Sequence, residues 1–179
     1  MTPTPLGQRA AANAPKKKAA KTPRARSSGK PVTIMQSATI HRPPAELYAF
    51  WRNLKNLPRF MNHIESVEVT GPETFRWTAR GAAGRTLSWE SQIIEDVPGE
   101  RIAWQSLPGS ALKSATTVVF HQVNGGGKTS VQVEIAYVPP SGKTGEAMKA
   151  IFGADPERQV IENLNRFRAL AELGQPPFA

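Results

Sequence analysis

Cysteine is absent from all 179 residues. That removes disulfides, iron–sulfur clusters, thiolate zinc sites and cysteine nucleophiles together, and it is compatible with a reducing compartment. Long apolar runs are missing too. Nothing approaches the roughly 18 residues a membrane-spanning helix needs, which predicts a soluble chain. Acid is missing from the first 30 residues, where Arg9, Lys16, Lys17, Lys18, Lys21, Arg24, Arg26 and Lys30 stand alone. Fifteen of the 23 Lys and Arg therefore face all 14 Asp and Glu over residues 31–179, and the formal +9 belongs mostly to one end. A body so close to neutral lacks the basic stripe of a globular nucleic-acid reader. Histidine is scarce, and His41, His63 and His121 are isolated, so no metal site is expected.

The length suits one domain with a full core and an appendage. The appendage is the basic segment, read as a disordered tail over 1–31: it is Ala, Pro, Lys, Thr and Ser and cannot bury enough apolar surface to offset ordering. No apolar h-region follows its charges, so it is no secretory signal. Pro3, Pro5, Pro15 and Pro23 argue against the amphipathic helix of a mitochondrial presequence. It reads first as a solubilising arm, and second as a weak, salt-sensitive contact for anionic membrane or nucleic acid.

What remains is patterned. Residues 33–41 read as a strand rich in β-branched side chains. Pro43 and Pro44 then open a helix, since proline is tolerated where the first amides lack partners. Leu47, Phe50, Trp51 and Leu54 recur at helical spacing. The segment Asn56-Leu57-Pro58 breaks that helix, giving a pair of short helices. From 64 to 138 the period falls to two, in runs 64–71, 75–80, 85–97, 101–107, 112–123 and 128–138. Gly- and Pro-rich separators this short indicate an antiparallel meander.

Register follows from arithmetic. A hairpin centred near Ala83 sets Trp77 opposite Trp89. A two-residue turn at Gly125-Gly126 sets Phe120 opposite Val131 and Val118 opposite Val133. Trp104 falls near Ile93. One face then collects Phe75, Trp77, Trp89, Ile93, Ile102, Trp104, Val118, Phe120, Val131, Val133, Ile135 and Tyr137, while Arg76, Glu90, Gln105, His121 and Glu134 take the other. One face is covered and one is wet.

The expected cover is the C-terminal segment. Met148, Ile151 and Phe152 form an apolar patch, and a break near Gly153 follows. Asp155 is placed as an N-cap with Pro156 at the first helical position. Val160, Leu164, Phe167 and Ala171 mark one face of a helix ending near Gly174. A short extension, 175–179, follows the domain over 32–174.

This order of elements, with the segments ATIHRPPAELYAFWRNLKNLPRFMNHIESVEV, PGERIAWQSLPG and ADPERQVIENLNRFRAL, resembles the START-like (SRPBCC) superfamily, and within it the polyketide cyclase/dehydrase-like branch. Coenzyme Q-binding START-like proteins are similar in pattern. The resemblance spans nearly everything from Val32 to Leu173. It implies an α+β helix-grip fold: a curved antiparallel sheet of about seven strands wrapped on a long C-terminal helix, with two short helices after strand 1. It also implies a cavity for a hydrophobic small molecule. Mapped here, the sheet-side lining is Trp77, Trp89, Trp104, Phe120, Val133 and Tyr137. The helix side supplies Phe152, Val160, Leu164 and Phe167, with Phe60 and Met61 near the mouth. The competing reading is that these side chains fill the core, since each aromatic alone buries about 150–250 Å².

Chemistry is sparsely signalled. No GxSxG elbow occurs. The run Gly125 to Gly127 with Lys128 lacks the strand–loop–helix setting of a phosphate loop and reads as a hairpin. Glu95 and Asp96 read as turn residues, not a general acid/base pair. Arg85 gives no direction of its own. Binding or transport of a lipid, quinone or polyketide-like molecule, without cofactor, is therefore the first expectation. A cyclase/dehydratase-type enzyme is the alternative, with His63 and Tyr137 as its acid/base candidates. A third is an interaction protein whose tail docks on anionic surfaces. The expected location is cytoplasmic, with peripheral membrane contact as a variant.

Overall fold

The computed structural model describes residues 30–81, 84–139, 149 and 153–174. Apart from Lys30 and Pro31, the tail over 1–31 lies outside them, as do the extension 175–179 and the patch of Met148, Ile151 and Phe152.

Within the described residues the order is β1 (Val32–Ile40), α1 (Pro44–Arg52), a 3-10 helix (Leu54–Arg59), β2 (Ile64–Val69), β3 (Thr74–Arg80), β4 (Thr86–Val97), β5 (Arg101–Ser106), β6 (Lys113–Gln122), β7 (Thr129–Val138) and α2 (Pro156–Leu173). The seven strands form one sheet in the order β1-β7-β6-β5-β4-β3-β2. Every pairing is antiparallel. Because β1 pairs with the last strand and β2 lies at the far edge, the connection through α1 and the 3-10 helix must travel from one edge of the sheet to the other. This is the α+β helix-grip arrangement the resemblance implies.

The register expected from turn spacing is the register found: Trp77 faces Trp89, Ile93 faces Trp104, Phe120 faces Val131 and Val118 faces Val133. The last hairpin differs in its turn. Val123 N donates to Lys128 O at 2.9 Å, so the loop holds four residues, not two. Asn124, Gly125, Gly126 and Gly127 all have positive φ, from 40° to 106°. Three glycines make that run of left-handed backbone accessible. The loop keeps the same centre, which is why the pairs are unchanged.

Alternation delivers the core. Phe75, Trp77, Ala79, Leu87, Trp89, Ile93, Ile102, Trp104, Val118, Phe120, Val131 and Val133 are all buried on one face, while His121 is exposed on the other. Two register shifts, at Ile64/Ser66 and Ile93/Glu95, interrupt the ladders. Such bulges bend a strand and strengthen its twist. The second falls inside β4 beside the outward-facing Ile94, 46% exposed, and the ladder with β5 resumes beyond it. Glu95 and Asp96 therefore belong to β4 and not to a turn. Glu95 pairs with Arg101 at 3.1 Å. The carboxylate of Asp96 accepts from the Tyr48 hydroxyl and, at 2.6 Å, from Arg52 Nε, fastening α1 to the bent strand.

The long helix starts where Asp155 accepts from Arg158 N at 3.1 Å. A cap of this kind is worth about 1 kcal/mol. Val160, Asn163, Leu164, Phe167 and Ala171 are its buried residues. At the far end Gly174 N donates to Leu170 O, with Gly174 in extended backbone at φ −74°. The main-chain N–H of His41 and its ring Nδ1 both meet Glu172 Oε1 at 2.8 Å, and Arg42 Nε donates to Ala171 O at 2.8 Å. The start of the α1 connection thus holds the end of α2.

Candidate functional site: an apolar cavity under the long helix

Between the concave sheet face and α2 lies a cavity of about 120 Å³. Its sheet wall is a row of indoles. Trp77 and Trp89 stack with centroids 6.0 Å apart and planes 4° apart, and Trp77 and Trp104 lie 5.9 Å and 20° apart. Cross-strand pairing of β3 with β4 and of β4 with β5 places these rings side by side. Each such pair contributes roughly 0.5–1.5 kcal/mol beyond its area burial. The Trp77 indole N–H, buried in this row, donates to Ser91 Oγ at 2.6 Å.

Val133 and Tyr137 of β7 continue the sheet wall; Val160 and Leu164 form the helix wall; Phe60 and Met61 close one side. With Trp77, Trp89, Trp104 and His63 these expected residues all border the cavity. Phe120 and Phe167 are buried but are not on its wall. Phe120 meets Tyr48 edge-on at 6.1 Å. Phe167, nearly one helical turn beyond Leu164, points into a cluster with Phe50, Trp51 and Phe60 at 5.6, 5.5 and 5.0 Å. It anchors α2 on the two short helices. Phe152 lies outside the described residues.

Several wall residues went unread in the sequence. Trp51 counted there only as part of a helical stripe, yet it borders the cavity. Gln159 and Asn163 add polar groups from α2. Their signal was positional: an i, i+4 pair directly beside Val160 and Leu164, hence on the edge of the buried stripe. From the sheet come Ser114 and Thr116. Among the described residues no Asp, Glu, Lys or Arg borders the cavity.

One titratable group on the wall is strongly perturbed. Burial, helped by the nearby Arg166 guanidinium, pulls the His63 imidazole down to about 4, so it is neutral at pH 7. Its Nδ1 lies 3.4 Å from Gln159 Nε2, and a neutral ring can accept there. Arg166 itself is committed elsewhere. Its Nε donates to Phe60 O at 2.8 Å and its Nη2 to Asn163 Oδ1 at 2.7 Å. Among the described residues no group of three or more His, Asp or Glu is arranged to hold a metal ion, and no helix is long and apolar enough to cross a membrane.

Sheet, gripped helix and internal cavity define a START-like fold. Residues 40–165 match the family described as polyketide cyclase/dehydrase and lipid transport, and the chain belongs to it. It is 36% identical to a solved protein of Deinococcus radiodurans, with TM-score 0.65, covering 80% of this chain and all of that one. The Zhui aromatase/cyclase of Streptomyces sp. R1128 shares the fold at TM-score 0.60 and 15% identity, over 76% of this chain and 91% of that one. An uncharacterized 17.2 kDa protein of Streptomyces lincolnensis is 26% identical over 78% of this chain and 89% of its own length.

Proposed function

We propose that this protein binds and hands on a hydrophobic small molecule, of lipid, quinone or polyketide-like type, in the cavity between sheet and α2. The observation that carries the reading is a partly enclosed space in a densely aromatic core with no charged side chain on its described wall. Interiors are normally close-packed, and a void lined this way forfeits contacts unless something occupies it. Its size is near that of cavities, of about 150 Å³, that take up benzene. The described core thus admits one ring, and a longer guest extends past Met61 at the mouth. The binding unit is residues 32–174. The basic tail over 1–31 serves first as a solubilising arm, with weak, salt-sensitive attraction to anionic membrane or nucleic acid as its second reading, in the cytoplasm or at the membrane face.

A second reading, a cyclase/dehydratase-type enzyme, is favoured by His63 and Tyr137 both bordering the cavity and by the family's description. The low basicity of His63 weighs against it, because a general base works best with a pKa near the working pH.

Uptake of a neutral apolar dye by the purified full chain, together with solvent extraction and native mass spectrometry, tests the first reading. Saturable uptake that Leu164→Trp abolishes is expected, since the indole fills the void at a cost of about 1–3 kcal/mol in stability. A folded wild-type protein that takes up no dye and releases no guest overturns it. Turnover of a polyketide-like substrate that Tyr137→Phe and His63→Gln abolish would replace it with the second.

A further inference from the structure

Trp51 and Asn163 carry a consequence for what the cavity accepts, one that rests on the binding reading above. Trp51 is 1% exposed. Its ring is packed by Phe60 at 5.2 Å, Phe167 at 5.5 Å and Trp104 at 6.4 Å. Among the described residues its indole N–H has no hydrogen-bond partner. Buried indole N–H groups usually find one, as that of Trp77 does on Ser91. Trp51 borders the cavity while its N–H is itself covered, so a guest reaches this donor by parting the side chains packed over it.

Asn163, 7% exposed, borders the same space from α2. The atom that meets Arg166 Nη2 at 2.7 Å must be its amide oxygen, because a guanidinium only donates. What Asn163 presents otherwise is its NH₂. Both residues neighbour Phe60, itself on the wall: Arg166 joins Asn163 to the Phe60 carbonyl, and the Phe60 ring packs on Trp51. This part of the wall offers donors and no free cation, since Arg166 is already engaged. An anionic guest would surrender its hydration without gaining a counter-charge on the described wall.

We infer that Trp51 and Asn163 are specificity-determining residues that select an uncharged ring bearing a carbonyl-type acceptor, its oxygen received by the Trp51 indole N–H and the Asn163 amide and its ring lying against the indole row.

Three probes of nearly equal shape test this: acetophenone, the hydrocarbon α-methylstyrene, and benzoate. Binding is followed on the full chain through the indole N–H resonances in ¹H–¹⁵N spectra, with Trp51 assigned by Trp51→Phe. Acetophenone should bind on the order of 10-fold more tightly than either analogue, as a site built around donors discriminates. It should move the Trp51 resonance downfield and leave that of Trp77, already bonded to Ser91, nearly still. Asn163→Leu, which leaves the aromatic cluster untouched, should reduce the preference over α-methylstyrene several-fold. Equal binding of acetophenone and α-methylstyrene with an unmoved Trp51 resonance overturns the inference and leaves the binding reading standing. Tighter binding of benzoate than of acetophenone does the same. Failure of all three to bind overturns both.

Discussion

Trp77 and Trp89 sit directly opposite each other on β3 and β4, their planes 4° apart and their centroids 6.0 Å apart. The same Trp77 sends its N–H to Ser91, two residues beyond Trp89 on the same face. One pair of strands therefore supplies both the apolar wall and the acceptor that satisfies the wall's polar atom.

Removing that acceptor tests whether the wall is held by it. Ser91 is 1% exposed, and Ser91→Ala strands a buried N–H, for an expected loss of about 1–3 kcal/mol in urea unfolding. Ser88→Ala on the opposite face, where the hydroxyl meets Thr78 at 3.2 Å, should cost no more than about 0.5 kcal/mol.

His63 makes stability depend on pH. Its folded value near 4 lies below the usual 6.5, so between those limits the unfolded chain binds more protons and stability rises with pH. Acidification from 7 to 4 should remove up to roughly 2–3 kcal/mol from this source, at 1.36 kcal/mol per pH unit. His63→Gln should flatten that part of the unfolding midpoint profile; an unchanged slope would show His63 exposed to water.

Tyr48 tests the tie between α1 and the bulged strand. Burial first, and the Asp96 carboxylate second, push its phenol up to about 12. Asp96→Asn should lower that value, read from the ultraviolet titration of tyrosinate with Tyr48→Phe as the blank. Loss of Asp96 also strips Arg52 of its partner, and about 1 kcal/mol of stability should go with it.

Glu172 holds the end of the long helix. The hydrogen bond from the His41 main-chain N–H, and then that from its ring, keep the Glu172 carboxyl below the ordinary value. Its contribution is therefore complete above the usual carboxylate range and disappears as pH falls through the lowered value. Glu172→Gln should speed amide hydrogen exchange over the last turn of α2 and leave exchange in β3 and β4 unchanged.

The sequence determined the architecture because turns and alternation are local. Gly-rich separators set hairpin centres, and a two-residue period sends Trp77, Trp89 and Trp104 to one face whatever lies above them. Capping at Asp155 and the spacing of Val160, Leu164, Phe167 and Ala171 likewise needed no distant partner. Tertiary structure alone decided which of those buried residues meet empty space. Phe120 and Phe167 carry the same periodic signal as Trp104 and Leu164, yet they pack against Tyr48 and Phe50, which come from α1, far away in the chain. The isolated roles of Trp51, Asn163 and Asp96 have the same origin. A hydrogen bond made or left unmade depends on what three separate elements bring to one point, and period and composition hold no record of that meeting.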